Sequence, residues 1–250
     1  MAASISILTF HAVDDTAAVI AFSPQLFRRG LQRLSEAGYR TVTLMEATEC
    51  IKRQESFPDR SFVITFDDGY ESVYSQALPV LRDLNFSATV FLTTGVNPTG
   101  RSDERLPSLE KRLMLSWGEI QEMQKCAIEF GAHTLTHPDL TKLSPQQIEL
   151  EMGDSKKRIE DAIGAQVSSF AYPFGRFDER SRKIARQYFA SACSDRLGIA
   201  SLQSDRYTLE RVDAYYFRSE KAFDLLTTNF FPGYIMMRNF PRRLRRLLQK

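Results

Sequence analysis

Two aspartates stand side by side in the stretch VITFDDGY, residues 63–70, where an apolar run stops. Adjacent carboxylates repel, and Val63, Ile64 and Phe66 ahead of them read as a buried strand. Such a pair can bind a cation or move protons, although DDG alone also fits a strand-ending turn with Gly69 at positive φ. The chain has only 3 histidines. His133 and His137 lie four apart in GAHTLTHPDL, so both imidazoles can reach one metal ion from a single turn that Pro138 helps to end. That spacing alone does not separate a metal site from an ordinary turn. His11 closes ILTFH, residues 7–11.

The elements that carry these residues are short apolar strands alternating with helical patterns. Strands are predicted at 4–10, 61–66, 87–92, 128–132, 168–172, 189–194 and 207–215. Helices are predicted at 24–36, 72–84, from the Ser116–Glu119 capping box, from Ser144 with Pro145 to about residue 163, and at 179–187 and 219–229. This alternation implies a parallel sheet, open or closed into a (β/α) barrel. The polar segment 95–115 reads as a functional loop over one face. His11, Asp67 with Asp68, His133 and the stretch AYPFG then each follow a separate strand at its C-terminal end. That is the edge where α/β proteins build their sites, and the coincidence favours chemistry over turn-making.

The bulk properties set the bounds. A chain of 250 residues with 43% hydrophobic and 26% charged residues is long enough for one large domain with a sizeable core. It has no run of about 18 apolar residues, and no positive segment precedes the short apolar stretch at its start, so we expect a cytoplasmic protein. Cys50, Cys126 and Cys193 are far apart and unpatterned, as reduced structural thiols are. Six positive charges (Arg238, Arg242, Arg243, Arg245, Arg246, Lys250) and no acid lie in 238–250, so a net +2 overall leaves −4 for the rest. Nucleic acid is therefore not an expected partner. We divide the chain into one domain, 1–237, and a basic tail, 238–250.

TFDDGY, HTLTH and YPFG resemble, in order, the first three motifs of the polysaccharide deacetylase (NodB-like) superfamily, carbohydrate esterase family 4. The resemblance spans His11 to about Asp213, most of the chain. It implies a distorted (β/α) barrel and metal-dependent removal of acyl groups from sugars. It further implies Asp67 as catalytic base, with Asp68, His133 and His137 holding a divalent metal, usually zinc, with cobalt or nickel as alternatives. Consecutive residues of an extended chain point opposite ways, which would let Asp67 and Asp68 do different jobs. Within YPFG, Tyr172, Pro173 and Gly175 would shape the backbone so that the Phe174 N–H meets the developing oxyanion. Tyr70 would line the sugar groove. Trp117 admits a sugar-stacking or a core role.

Two positions depart from the family pattern. Ala171 stands where the third motif usually has an arginine that tethers the base, and no histidine follows His137 to serve as the late general acid. Relatives resembling the poly-N-acetylglucosamine deacetylases are circularly permuted, with the histidine-bearing strand at the front, which makes His11 the expected acid. Arg211 and Asp213, two apart on a predicted strand and so on one face, are expected to tether Asp67 and to orient His11, with an ordinary surface pair as the alternative. The expected activity is deacetylation of an N-acetylglucosamine-type glycan in exopolysaccharide or cell-surface metabolism. A deformylase or amidohydrolase acting on a lipid-linked sugar or non-sugar amide, and an inactive glycan-binding module, are the alternatives.

In the tail, Phe240, Leu244, Leu247 and Leu248 recur on one helix face, with arginines on the other. A basic amphipathic helix fits peripheral contact with an anionic membrane face, or packing on the barrel with solvated arginines.

Overall fold

The computed structural model describes residues 2–95, 105–228 and 230–248, with side chains described through residue 240. In chain order the strands are β1 (Ser4–Phe10), β2 (Ala12–Val13), β3 (Ala21–Phe22), β4 (Arg40–Thr41), β5 (Ser61–Phe66), β6 (Ala88–Leu92), β7 (Ile128–Ala132), β8 (Ser169–Ala171), β9 (Ser191–Leu197), β10 (Ala200–Ser201) and β11 (Leu209–Asp213). Seven of them close a parallel barrel in the order β1, β5, β6, β7, β8, β9, β11 and back to β1. Helices cover the outer face, so barrel strands are buried on both sides and read as continuous apolar runs. Every residue of β6 and β8 is buried. β4 extends the sheet beside β5, and β10 runs antiparallel to the start of β1.

The helices are α1 (Pro24–Glu36), α2 (Leu44–Arg53), α3 (Leu78–Asp83), α4 (Trp117–Gln124), α5 (Pro145–Ile163), α6 (Glu179–Tyr188), α7 (Glu220–Asp224) and α8 (Phe231–Leu248). Their ends follow local chemistry. Ser116 with Glu119, and Ser144 with Gln147, form capping boxes, and Gly164 ends α5 at φ 66°. At the closing seam Phe10 meets Phe22, Phe27 and Phe217 edge-on with centroids 5.1–5.5 Å apart. Truncating Phe10 to alanine would cost roughly 3–5 kcal/mol.

Several elements differ from the sequence expectation. The helix predicted over 72–84 opens as a π turn, Val73–Ala77, before α3, because Pro79 has no N–H to carry the α register through the junction. The strand expected at 189–194 runs to Leu197, and that expected at 207–215 ends at Asp213 in a 3-10 turn, Ala214–Phe217. The helix expected at 219–229 shortens to α7 and a 3-10 turn, Leu225–Thr227. α2 was not foreseen, although Thr43 and Glu46 form a capping box at its start. Of the segment 95–115, residues 96–104 lie outside the described residues. Residues 105–116 fold back on themselves through a bridge between Arg105 and Ser116, and over Tyr70 through a bridge between Tyr70 and Met114. Arg112 ties them to Asp14 and Thr16.

Candidate active site

The chain leaves β5 through a tight γ-turn. The Gly69 N–H donates to Asp67 O at 3.0 Å across Asp68, whose φ is 74°. This conformation is rare for a residue with a side chain and costs energy. The two carboxylates therefore diverge because Asp68 is left-handed, and not by the strand alternation expected from sequence. Gly69 follows at φ 88°, where a Cβ would lie 2.7 Å from Leu106 Cδ1, so only glycine fits beneath the folded-over segment. Thr134, His137 and Phe174 also have positive φ. Four left-handed residues, Asp68, Thr134, His137 and Phe174, thus stand at the C-terminal strand ends around the site.

Asp67 is 4% exposed. Arg211 of β11 donates from both terminal nitrogens to its two oxygens, at 2.8 and 2.7 Å, the two-pronged geometry that suits guanidinium and carboxylate. The same guanidinium donates from Nε to Ser194 O at 3.2 Å, and its position over the Phe91 ring adds a cation–π contact. Burial pushes the Asp67 carboxyl up, but the Arg211 charge and hydrogen bonds overcome it and hold Asp67 well below the usual carboxylate range. Asp67 is therefore ionised at neutral pH. Arg211 can take this post because β9 is irregular against β11: the five residues Cys193–Leu197 on β9 span what three, Leu209–Arg211, do on β11. That bulge presents the Ser194 carbonyl.

Asp68 Oδ1 lies 3.4 Å from both His133 Nε2 and His137 Nε2, and this buried oxygen has no hydrogen-bond partner. The three ligand atoms lie within 4.8 Å of one another. His133 Nδ1 pairs with Ala171 O at 2.7 Å, which places its proton there and leaves Nε2 as the lone-pair donor. Burial pushes His133 down, but its contact with Asp68 and the charges of Asp67 and Asp68 overcome it and raise His133. Burial, aided by the charge His133 then carries, pushes His137 down to about 4, so His137 is neutral at pH 7. An orphaned carboxylate oxygen facing two imidazole lone pairs fits a divalent cation.

These groups share a cavity of about 310 Å³ with His11, Phe174, Gly175 and Asp213. His11 Nε2 is 4.0 Å from Asp67 Oδ2. Phe174, at φ 56°, stands 58% exposed with its ring against His137. The turn hydrogen bonds here come from the N–H groups of Gly175 and Arg176, so neither uses that of Phe174. Gly175 must be glycine, since a Cβ would lie 2.0 Å from Asp195 Cβ.

Two sequence expectations, for Tyr70 and for Asp213, need correction. Tyr70 does not line the cavity: it is 2% exposed beneath the folded-over segment, with Arg112 above its ring. Tyr172 and Pro173 are likewise buried, the Tyr172 hydroxyl donating to Tyr207 O, so they support the turn from below. Asp213 accepts from the Tyr215 N–H at 2.7 Å, capping the 3-10 turn, and no hydrogen bond joins it to His11 among the described residues. Its carboxylate was free to choose the nearest orphaned amide. Trp117, at the start of α4, is half-buried against the core and away from the cavity. Burial raises the Cys193 thiol to about 12, which fits a structural role.

Sequence reasoning passed over Glu151. Buried on α5, it accepts from Leu135 N–H, Thr136 N–H and Thr136 Oγ1 at 2.9, 3.0 and 2.6 Å. It thus anchors the middle of the turn that carries both histidines. The available signal was an acid on the same stripe as the buried Ile148, Met152, Ser155 and Ile159.

The arrangement is that of a NodB-type (β/α) barrel, with its chemistry gathered at the C-terminal strand ends. The sequence model of polysaccharide deacetylases matches residues 54–191, more than half the chain. The chain belongs to the polysaccharide deacetylase family. It is 29% identical over 211 residues to YxkH of Bacillus subtilis (strain 168), whose name places it provisionally in that family, covering 84% of this chain and 71% of YxkH. It is 30% identical over 145 residues to the poly-beta-1,6-N-acetyl-D-glucosamine N-deacetylase of Staphylococcus aureus (strain MRSA252), covering 54% of this chain and only 48% of that enzyme. Among solved structures, the Streptococcus pyogenes deacetylase PplD, in complex with acetate, superposes with a TM-score of 0.75 at 27% identity, covering 85% of this chain and 93% of PplD. The match to the family model, residues 54–191, includes Asp67, Asp68, His133, His137 and 172–175 but not His11, Arg211 or Asp213.

Proposed function

We propose that this protein is a metal-dependent deacetylase that hydrolyses the N-acetyl amide of an amino sugar, in an N-acetylglucosamine-type glycan or its precursor, within exopolysaccharide or cell-surface glycan metabolism. The observation that carries the reading is one cavity holding two differently treated carboxylates. Asp68 has an orphaned oxygen facing two imidazole lone pairs, and Asp67 is ionised and clamped by Arg211. A glycan-binding module has no need of that combination. The named activity of the staphylococcal relative supports the sugar class.

Asp68, His133 and His137 would hold the cation, with zinc the first choice and cobalt or nickel able to replace it. Such a cation supplies Lewis acidity, polarising the acetyl carbonyl and making water a nucleophile near neutral pH. Asp67 accepts the proton of the attacking water, with Arg211 fixing its orientation and keeping it ionised. The Phe174 N–H, pre-aimed by the strained turn, donates to the oxygen that gains charge. His11, which shares the cavity, protonates the departing amine.

The test is acetate release from N-acetylglucosamine oligomers by zinc- or cobalt-loaded protein, with Asp67→Asn as control. The reading requires release that depends on metal and falls by about 10²–10⁴-fold in the variant. Folded, metal-loaded protein that releases no acetate from these oligomers would reject it.

A further inference from the structure

Among its described side chains, α8 meets the barrel through one face. Phe231 and Ile235 are buried, the Tyr234 hydroxyl donates to Tyr216 O at 2.8 Å, and Asn239 Nδ2 donates to Leu197 O at 2.6 Å. Arg238 lies over the rings of Tyr216 and Tyr234. The opposite face is apolar yet uncovered: Met236, Met237 and Phe240 are 71%, 65% and 67% exposed, and Phe230, just before the helix, is 78% exposed. A soluble surface rarely leaves such residues together without a partner.

The sequence beyond Phe240 extends the same pattern. At about 100° per residue, Leu244, Leu247 and Leu248 fall with Met236, Met237 and Phe240 in an arc of about 120°. Arg238, Arg242, Arg243, Arg245 and Arg246 all fall outside that arc. The side chains of 241–248, and residues 249–250, lie outside the described set, so for them this is a statement of position in the sequence. The last acid of the chain is Asp224, so six cations accumulate over the final 26 residues with no counter-charge. A protein-facing apolar stripe has no need of that imbalance; an anionic lipid surface does.

We propose that α8 is a docking helix that lies in the headgroup region of an anionic membrane, with the Met236–Phe240 stripe inserted and the arginines at lipid phosphates. No helix among the described residues is long and apolar enough to cross a membrane, so the contact is parallel to the surface. Leu197 and Tyr216 lie where the chain leaves β9 and β11, at the C-terminal barrel end that also holds the cavity. Docking through α8 would therefore hold that end of the barrel near the lipid surface. The docking itself does not depend on the catalytic reading.

The experiment is co-sedimentation of the full chain with phosphatidylcholine vesicles, with and without about 30% phosphatidylglycerol, at low and high salt. We expect pelleting with anionic vesicles only, relieved by salt. Each basic residue near such a surface contributes roughly a fivefold factor, so replacing Arg242, Arg243, Arg245 and Arg246 with glutamine should weaken binding by several hundredfold. Met237→Glu with Phe240→Glu changes only exposed positions. It should abolish pelleting without moving the melting temperature or the sedimentation coefficient of the free protein. Failure of the unaltered protein to pellet with anionic vesicles at low salt would overturn the proposal. So would the glutamate pair turning an oligomer into a monomer, which would assign the stripe to a second copy of the chain.

Discussion

Arg211→Met leaves Asp67 buried without its counter-charge. The guanidinium makes two bonds to Asp67 at 2.8 and 2.7 Å, and the two groups are 6% and 4% exposed. Removing one partner of a buried pair costs about 3–5 kcal/mol. For a domain of this size each kcal/mol is worth roughly 2–4 °C, so the melting temperature at pH 7 should fall by about 6–20 °C. The pH dependence gives a second reading. In the unaltered protein the folded Asp67 titrates below its ordinary value, so its contribution is present above about pH 4 and lost only in acid. In the variant burial loses its main opponent, with only the His133 and His11 charges left against it, and the folded carboxyl should titrate above its ordinary value. Stability is then lost as pH rises, and the deficit should narrow between pH 7 and 5. Adding Asp67→Asn to Arg211→Met removes the stranded charge and should recover much of the loss. Arg211→Lys keeps the charge without the fork and should fall between. Differential scanning calorimetry across pH 5–8 measures all four proteins. An Arg211→Met protein that melts within about 1 °C of the parent at pH 7, with the same pH profile, would refute the argument.

Three other outcomes follow from the same geometry. Zinc at 100-fold above its Kd should stabilise the parent by about 2.7 kcal/mol; Asp68→Ala or His137→Ala should lose both that shift and stoichiometric zinc by elemental analysis, and unchanged zinc content would remove the trio as the site. Glu151→Gln swaps an acceptor for an amide that cannot satisfy three donors, so about 1–3 kcal/mol of stability should go. Its zinc affinity should drop roughly tenfold by competition with a chelator, and unaltered affinity would show that Glu151 does not position the histidines. Gly175→Ala places a Cβ 2.0 Å from Asp195 Cβ at a φ of 64°; strain and clash should cost roughly 2–5 kcal/mol in urea unfolding, and a neutral effect would contradict the close approach of this turn to β9.

Much of the fold and of the site is legible in the chain by itself, because barrel strands are covered on both faces and so appear as unbroken apolar runs such as Phe62–Phe66. The chemistry sits where those runs stop, which is why Asp67, Asp68, His133 and His137 can be picked out by type and spacing. Local hydrogen bonding also writes the capping boxes at Ser116 and Ser144 directly into the sequence. What local sequence does not carry is closure. The contact between Arg211 and Asp67 joins residues 144 apart, and it exists only because β11 and β5 both flank β1 and because the β9 bulge turns the Ser194 carbonyl inward. The divergence of the two aspartates belongs here too: a left-handed Asp68 is unfavourable in isolation and persists because Leu92, Leu106 and the segment from Arg105 to Ser116 pin Gly69 in place. Glu151 is read correctly only when α5 is seen against the histidine turn, and Tyr70 only when the folded-over segment is seen to bury it. Periodicity and capping chemistry act over a few residues and are therefore decided by the chain. Charge pairing, strain and burial are settled by which distant segments meet, and the closed barrel decides that.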